Sequence, residues 1–491
     1  MLKRFPDVVR FFRQDLLCRD WEDQSVDPAI LQWNLFLLCL AIFTSSFNIV
    51  PGILLPTVLG VMALFVQIIW QINRGKEAIY PVYGVRRLFF LYMVLAWIYA
   101  ALIGVDVLNP SLYRREFKYF FSYSWFFIFS LLYYPREESS EKILGTLQLA
   151  AVFSLVWYVI GLIYPSFLSV FYFVTKTGMW EKLGGDSGET IYSGPFLSHS
   201  SAGGFYAVLA VMLASFNTRK PRYIALGLCY LMGCLLVFTA SRAWLLAVVG
   251  LGVMMILNYG IRHRAFSPVY LAAALGLTVI SSFGIFHSSW IHPSKNGVYR
   301  TPQIHGPQTH IKEKNEGRIA NISIRIKLWN IAIRDFLESP IIGVGLSRFD
   351  DNKYVMTQVT PGNPNDFGYI SAGSERYLDI PFFHVNVGSF FAHTDQHAHN
   401  VYLNILAEGG VLFFALFVAM YVKLIQVIAR VGKESKDSLK AELAIGINRS
   451  LFIVAMASFF ANNLQGIIPM IMVFGLSGFL LAQRQSTCLS G

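Results

Sequence analysis

The chain has 491 residues, 55% of them hydrophobic and 14% charged, with a formal net charge of +11. Soluble proteins of this size carry nearer ~25% charged residues, so a soluble globular domain is excluded. In a soluble chain the positive balance would point to nucleic acid. Here the basic residues flank apolar runs and set their orientation, and no nucleic-acid partner is expected.

Residues 1–30 are polar and basic, too long and too charged for a cleavable signal. They read as a cytoplasmic N-terminal segment before a retained first anchor. Nine apolar spans follow within 31–286, at about 31–50, 54–72, 88–104, 119–134, 143–164, 200–217, 223–240, 243–258 and 269–286. An insertion at 166–199, with KLGGDSGETIYSG, reads as loop.

Residues 287–400 are too long for a simple connector. Within them RIANISIRIKLWNIAIRDFLE (318–338) reads as a helix that Ser339-Pro340 stops. Ile322, Ile326, Trp329, Ile333 and Phe336 recur at helical spacing and read as its packing face. GVG at 343–345 makes a turn, and the Asn/Gly/Pro-rich stretch 351–376 is loop. Spans at 401–428, 447–463 and 467–482 bring the number to about twelve, within a unit 401–482 followed by a tail 483–491. The expected fold is therefore an all-α polytopic membrane protein with a large external loop between helices 9 and 10.

Lys and Arg fix the orientation, because they concentrate in alternate short connections. Arg219, Lys220, Arg222, Arg262 and Arg264 fall on one side, and so do Arg430, Lys433, Lys436 and Lys440. Both termini are then cytoplasmic and residues 287–400 external. In a bacterium this is the periplasmic side of the inner membrane. Cys18, Cys39, Cys229, Cys234 and Cys488 lie outside long polar loops and show no disulfide framework or zinc spacing.

Polar residues in or beside membrane helices are functional candidates. Arg242, in TASRAW, is the one charge of an external hairpin. Asn400, Asn404 and Glu408 are spaced i, i+4, i+8 and share one side of a helix. That stripe either bonds a neighbouring helix or lines a site. Asn462, Asn463 and Gln465 cluster in the last external turn. His393, His397 and His399 raise the alternative of a metal. However, HExxH is missing, and Asn400 suits a helix N-cap, which leaves His393 and His397 ahead of the helix. The expectation is no metal and no cofactor. His399 sits at the helix mouth, where a neutral imidazole can act as a general base near pH 7.

Four segments in order resemble the O-antigen ligase and Wzy-type polymerase superfamily: SGPFLSHSSAGGFYAVLAV (193–211), FTASRAWLLAVV (238–249), RIKLWNIAIRDFLESPIIGVGLSRF (325–349) and HAHNVYLNILAEGGVL (397–412). One departure is Ser198-His199-Ser200, where the family often has Asn. The resemblance implies a GT-C-like membrane glycosyltransferase embedded among membrane lipids. Its donor would be an undecaprenyl-diphosphate-linked glycan and its acceptor lipid A–core, or another glycan in a polymerase. Arg242, Arg325 and Arg348 are then the expected diphosphate-binding residues, since guanidinium grips phosphate bidentately. His399 is the expected base, with Asn400, Asn404 and Glu408 in support, and the stretch around Trp329 and Ile333 could instead close over the polyprenyl chain. Ligase is the reading taken, with polymerase the alternative. A lipid or solute transporter is the rival of another class, disfavoured because the polar residues gather at the external surface and no inverted repeat is visible.

Overall fold

The computed structural model describes residues 36–42 and 87–98 in part, 139–163, 180–182, 190–192, 196, 199–216, 222–239, 241–263, 316–345, 349, 377–380, 383–386, 398–435, 437–460 and 472–481. The expected spans at 54–72, 119–134 and 269–286 lie outside the described residues, as do the loop 351–376, Cys18 and Cys488.

The described helices are α1 (Ser139–Ile163), α2 (His199–Ser215), α3 (Arg222–Phe238), α4 (Arg242–His263), α5 (Glu316–Glu338), α6 (Val401–Glu434), α7 (Ser438–Ala457) and α8 (Met472–Leu481). By length and composition α1 (from Ser140 to Ile160) and α6 can cross a membrane, and α2, α3, α8 and the Ala243–Met255 part of α4 are shorter apolar helices. With the apolar composition, these helices suggest a membrane protein.

Two small hairpins add β structure that the all-α reading did not include. Strand β1 (Trp180–Lys182) pairs antiparallel with β2 (Thr190–Tyr192), and β3 (Tyr377–Ile380) with β4 (Phe383–Asn386). Both fall in the segments read as external. Their aromatic and β-branched residues, such as Trp180, Ile191, Tyr377 and Val385, favour extended pairing.

Helix α2 is the centre of the bundle. It packs against α1, α3, α4 and α7. Ala202 to Val211 are buried on every side, as expected of a helix that is apolar all round. Helix α7 is the second hub, packing on α1, α2, α4 and α6. The span expected at 447–463 corresponds to this helix, which begins at Ser438. The helix runs past the apolar stretch because Asp437 caps its start, accepting from the Leu439 N–H at 2.9 Å. No Pro follows to stop it, so Lys440 and Glu442 are wound into the first turns.

Candidate functional site

The expected single span at 401–428 is two helices joined at a kink. Gly410 has φ 62 and ψ −167, outside the helical region. The break divides α6 into a short half, 401–409, and a long half, 411–434. At 1.5 Å per residue the long half spans about 36 Å, enough by itself for a ~30 Å hydrocarbon core. Glu408 sits at the junction of the two halves.

A break frees carbonyls before it and N–H groups after it, and buried backbone groups must find partners. The turn that follows α5 supplies them. Val344 N–H donates to Ala407 O at 2.9 Å and Gly345 N–H to Glu408 O at 3.0 Å. From the other side, Val411 N–H donates to Pro340 O at 2.9 Å and Leu412 N–H to Ile341 O at 3.2 Å. PIIGVG thus docks into the gap as a strand would. Two glycines permit this. Both Gly343 (φ 72) and Gly410 have positive φ. A Cβ on Gly343 would lie 2.5 Å from Ala407 O and overlap the Glu408 carbonyl; one on Gly410 would lie 2.6 Å from Ile342 N and overlap the Ile341 carbonyl. Each glycine makes room for the other segment's backbone.

The short half carries the polar stripe, and each member holds backbone. Asn400 is the N-cap, its Oδ1 accepting from Tyr402 N–H at 3.0 Å and Leu403 N–H at 3.1 Å. Asn404 Oδ1 accepts from Ala398 N–H at 3.4 Å. Glu408 Oε1 accepts from Phe349 N–H, also at 3.4 Å. All three side chains are buried. Together they tie the chain before α6 and the chain after PIIGVG onto one short helix.

His399 lies between these anchors, half-buried and with φ 49. A non-glycine residue in the left-handed region costs roughly 1–2 kcal/mol, and such strain persists only where neighbours over-determine it. Here Ala398 is bonded on one side and Asn400 caps on the other. The histidine is aimed by backbone constraint from both sides.

Arg325 approaches the same place. Its Nη1 donates to Phe460 O at 3.3 Å, beyond the end of α7. Val401 N–H donates to Ser458 O at 3.0 Å, which joins the start of α6 to that same end. His399, Asn400 and Arg325 are thus gathered by the C-terminal end of α7. Arg242 opens α4. The residues around it bring segments 193–211 and 238–249 together. A Cβ on Gly203 would meet Ser241 Oγ at 2.8 Å, and one on Gly204 would meet Trp244 Cζ2 at 2.8 Å. The Gly-Gly pair of α2 lets the buried Trp244 ring lie on its backbone. Arg348, His393, His397, Asn462, Asn463 and Gln465 lie outside the described residues.

The expected packing face of α5 is corrected. Leu328, Ile331, Ala332, Asp335 and Ser339 are buried, whereas Ile326 and Ile333 are exposed and Trp329 and Phe336 are half-buried. Leu328, Ile331 and Ala332 form a small second core with Phe349, Ala398 and Ala407, against the short half of α6. Three of the six buried members of this core, Ala332, Ala398 and Ala407, are alanines, small side chains that let helices approach closely.

Some participants were not singled out from sequence. Gly343 and Gly410 gave a signal as G-x-G and Gly-Gly, yet their mutual contact spans distant segments. Asp335 in α5 and Ser339 just after it are wholly buried without an apolar pattern to mark them. Arg449 sits mid-helix in α7, donating from Nη1 to Ser215 Oγ at 3.2 Å. Its sign was a charge within an apolar run.

Residues 227–418 match the family model described as O-antigen ligase. The matched stretch runs from α3 to the long half of α6, and it contains Arg242, Arg325, Arg348, His399, Asn400, Asn404 and Glu408. No curated protein matches the chain.

Proposed function

We propose that this chain, whose residues 227–418 match the O-antigen ligase family, is a glycosyltransferase of the ligase and polymerase kind. The chain transfers a saccharide from undecaprenyl diphosphate to a sugar hydroxyl of lipid A–core, at the outer leaflet of the bacterial inner membrane. The observation that carries this reading is His399, held in a left-handed conformation between the Ala398–Asn404 bond and the Asn400 cap. A base positioned by its own backbone can be kept within reach of a reacting hydroxyl.

In this reading the acceptor oxygen attacks the anomeric carbon and the glycosidic C–O bond to diphosphate breaks. The hydroxyl proton passes to His399, and undecaprenyl diphosphate departs with the bonding pair. Direct displacement inverts the anomeric centre. Arg242, Arg325 and Arg348 stabilise the departing anion. A bond to the Phe460 carbonyl uses one of the five N–H donors of the Arg325 guanidinium. Asn400, Asn404 and Glu408 act through the backbone they hold and are positioning residues. The transfer uses no metal and no cofactor.

The topology proposed with it has about twelve spans and both termini in the cytoplasm. The unit 31–286 carries nine spans and the insertion 166–199, residues 287–400 form the periplasmic loop, and 401–482 complete the bundle.

The test is transfer in proteoliposomes from an undecaprenyl-diphosphate oligosaccharide to lipid A–core. His399→Ala is expected to lose about 10²–10⁴-fold in rate; wild-type turnover would remove the base assignment. Arg242→Lys is expected to impair transfer severely, and unchanged kcat/KM would count against bidentate contact. EDTA is expected to leave the rate unchanged, and inhibition reversed by a divalent ion would restore the metal reading. In a deletion strain, long chains stranded on the carrier identify a ligase, and single repeats on the acceptor identify a polymerase.

A further inference from the structure

Among the described residues, one face of helix α5 packs against the bundle. Leu328, Ile331 and Ala332 are packed against the short half of α6, and Asp335 is buried on the same side of the helix. Arg334 and Glu338 form a second, polar edge, ion-paired at 3.2 Å. The third face carries Ile326, Ile333 and Leu337, spaced i, i+7, i+11 and so stacked on one side, with the exposed Asn330 among them. They are 50%, 43% and 69% exposed. A large apolar row left open beside a polar edge marks an interaction surface.

The row continues beyond the helix. Ile341 is also exposed, and its carbonyl accepts from Leu412 N–H. Val411 and Leu412 are exposed in turn and open the long half of α6. That half continues outward-facing through Val418 and Val422. The apolar row of α5 is thus joined to the flank of the helix best suited by length and composition to cross the bilayer.

We infer that α5 lies in the outer-leaflet interface, with Ile326, Ile333, Leu337 and Ile341 immersed among acyl chains and the Arg334–Glu338 edge at headgroup level. This is the geometry of an interfacial amphipathic helix. Because the opposite face of α5 holds the short half of α6, the helix fixes the height of His399 relative to the membrane. The inference rests on the reading of α6 as a spanning helix.

The test uses full-length protein with Cys18, Cys39, Cys229, Cys234 and Cys488 replaced by Ser. Single cysteines (Ile333→Cys, Leu337→Cys, Arg334→Cys and Val422→Cys) carry an environment-sensitive fluorophore. The proteins are placed in vesicles of phosphatidylethanolamine and phosphatidylglycerol. Quenching by doxyl-labelled lipid is compared with quenching by aqueous iodide. Lipid quenching at 333 and 337 is expected within a factor of ~2 of that at 422, with iodide reaching 334. If 422 is lipid-quenched while iodide reaches 333 and 337, the inference is overturned and the spanning reading survives. If 422 itself is reached by iodide, the spanning reading fails first, and the inference with it. If 333 and 337 become shielded only when polyprenyl diphosphate is added, the row is a groove for the donor chain, which also overturns the inference.

Discussion

Gly410→Ala tests the junction on which the site is built. The backbone at Gly410 (φ 62, ψ −167) belongs to a region open almost only to glycine, and another residue there costs about 1–3 kcal/mol. The new Cβ would also overlap the Ile341 carbonyl and lie 2.6 Å from Ile342 N, both of them backbone. No rotamer change relieves such a clash, so PIIGVG must withdraw. Its four backbone bonds to residues 407–412 would be strained or lost, each worth about 0.5–1.5 kcal/mol net. Allowing for partial relaxation, the docked arrangement is weakened by about 4 kcal/mol.

The bundle around α2 does not depend on this contact, so the effect is local opening rather than global unfolding. Hydrogen exchange in lipid nanodiscs reads it directly. Protection of the Val344, Gly345, Val411 and Leu412 amides is expected to fall by about 10³-fold, or to the unprotected limit, since ~1.4 kcal/mol is a factor of ten. Transfer activity should fall with it, because His399 is tethered to the same short helix. Gly145→Ala is the control: its Cβ meets nothing within 4 Å, and Ala is the better helix former. Unchanged protection of the four amides in Gly410→Ala would refute the reasoning.

Other outcomes are expected at neighbouring positions. His399→Gly should be more stable than His399→Ala by about 1 kcal/mol, because only glycine adopts φ 49 without penalty; equal Tm values would remove the strain from His399. Asn400→Ala should cost about 1 kcal/mol through loss of the N-cap, with Asn400→Asp retaining most of it. Thermal unfolding of the pair reads this, and indistinguishable variants would contradict the cap. Gly204→Ala should destabilise by about 1–3 kcal/mol by pushing a methyl into the Trp244 ring; a Tm equal to wild type would show that the ring can move aside.

Much of the architecture is local and was therefore readable. Apolar runs marked the positions of α1, α2, α3, α4 and α6 to within a turn or so at their starts, because helix propensity and burial act over a few residues. The N-cap at Asn400 was legible for the same reason: an Asn side chain reaches only the next two or three N–H groups. The polar stripe Asn400, Asn404, Glu408 followed from helical spacing alone. The sequence left open what the stripe serves, and the structure shows buried backbone N–H groups as its partners.

What tertiary structure decided is non-local. Nothing near Gly410 says that its φ is positive, since an apolar run with two glycines is compatible with a continuous helix. The break is held by Pro340 to Gly345, which lie more than sixty residues away in the chain, and only their docking satisfies the freed backbone groups. The face that α5 packs was equally undetermined. Its periodicity pointed to the row of Ile326, Trp329 and Ile333, whereas packing against the short half of α6 buries Leu328, Ile331 and Ala332 and leaves Ile326 and Ile333 outside. Composition and periodicity determine that this chain makes apolar helices, because each residue's transfer energy is its own. Which backbones meet at Gly343 and Gly410, and hence where His399 is held, is a property of two segments together.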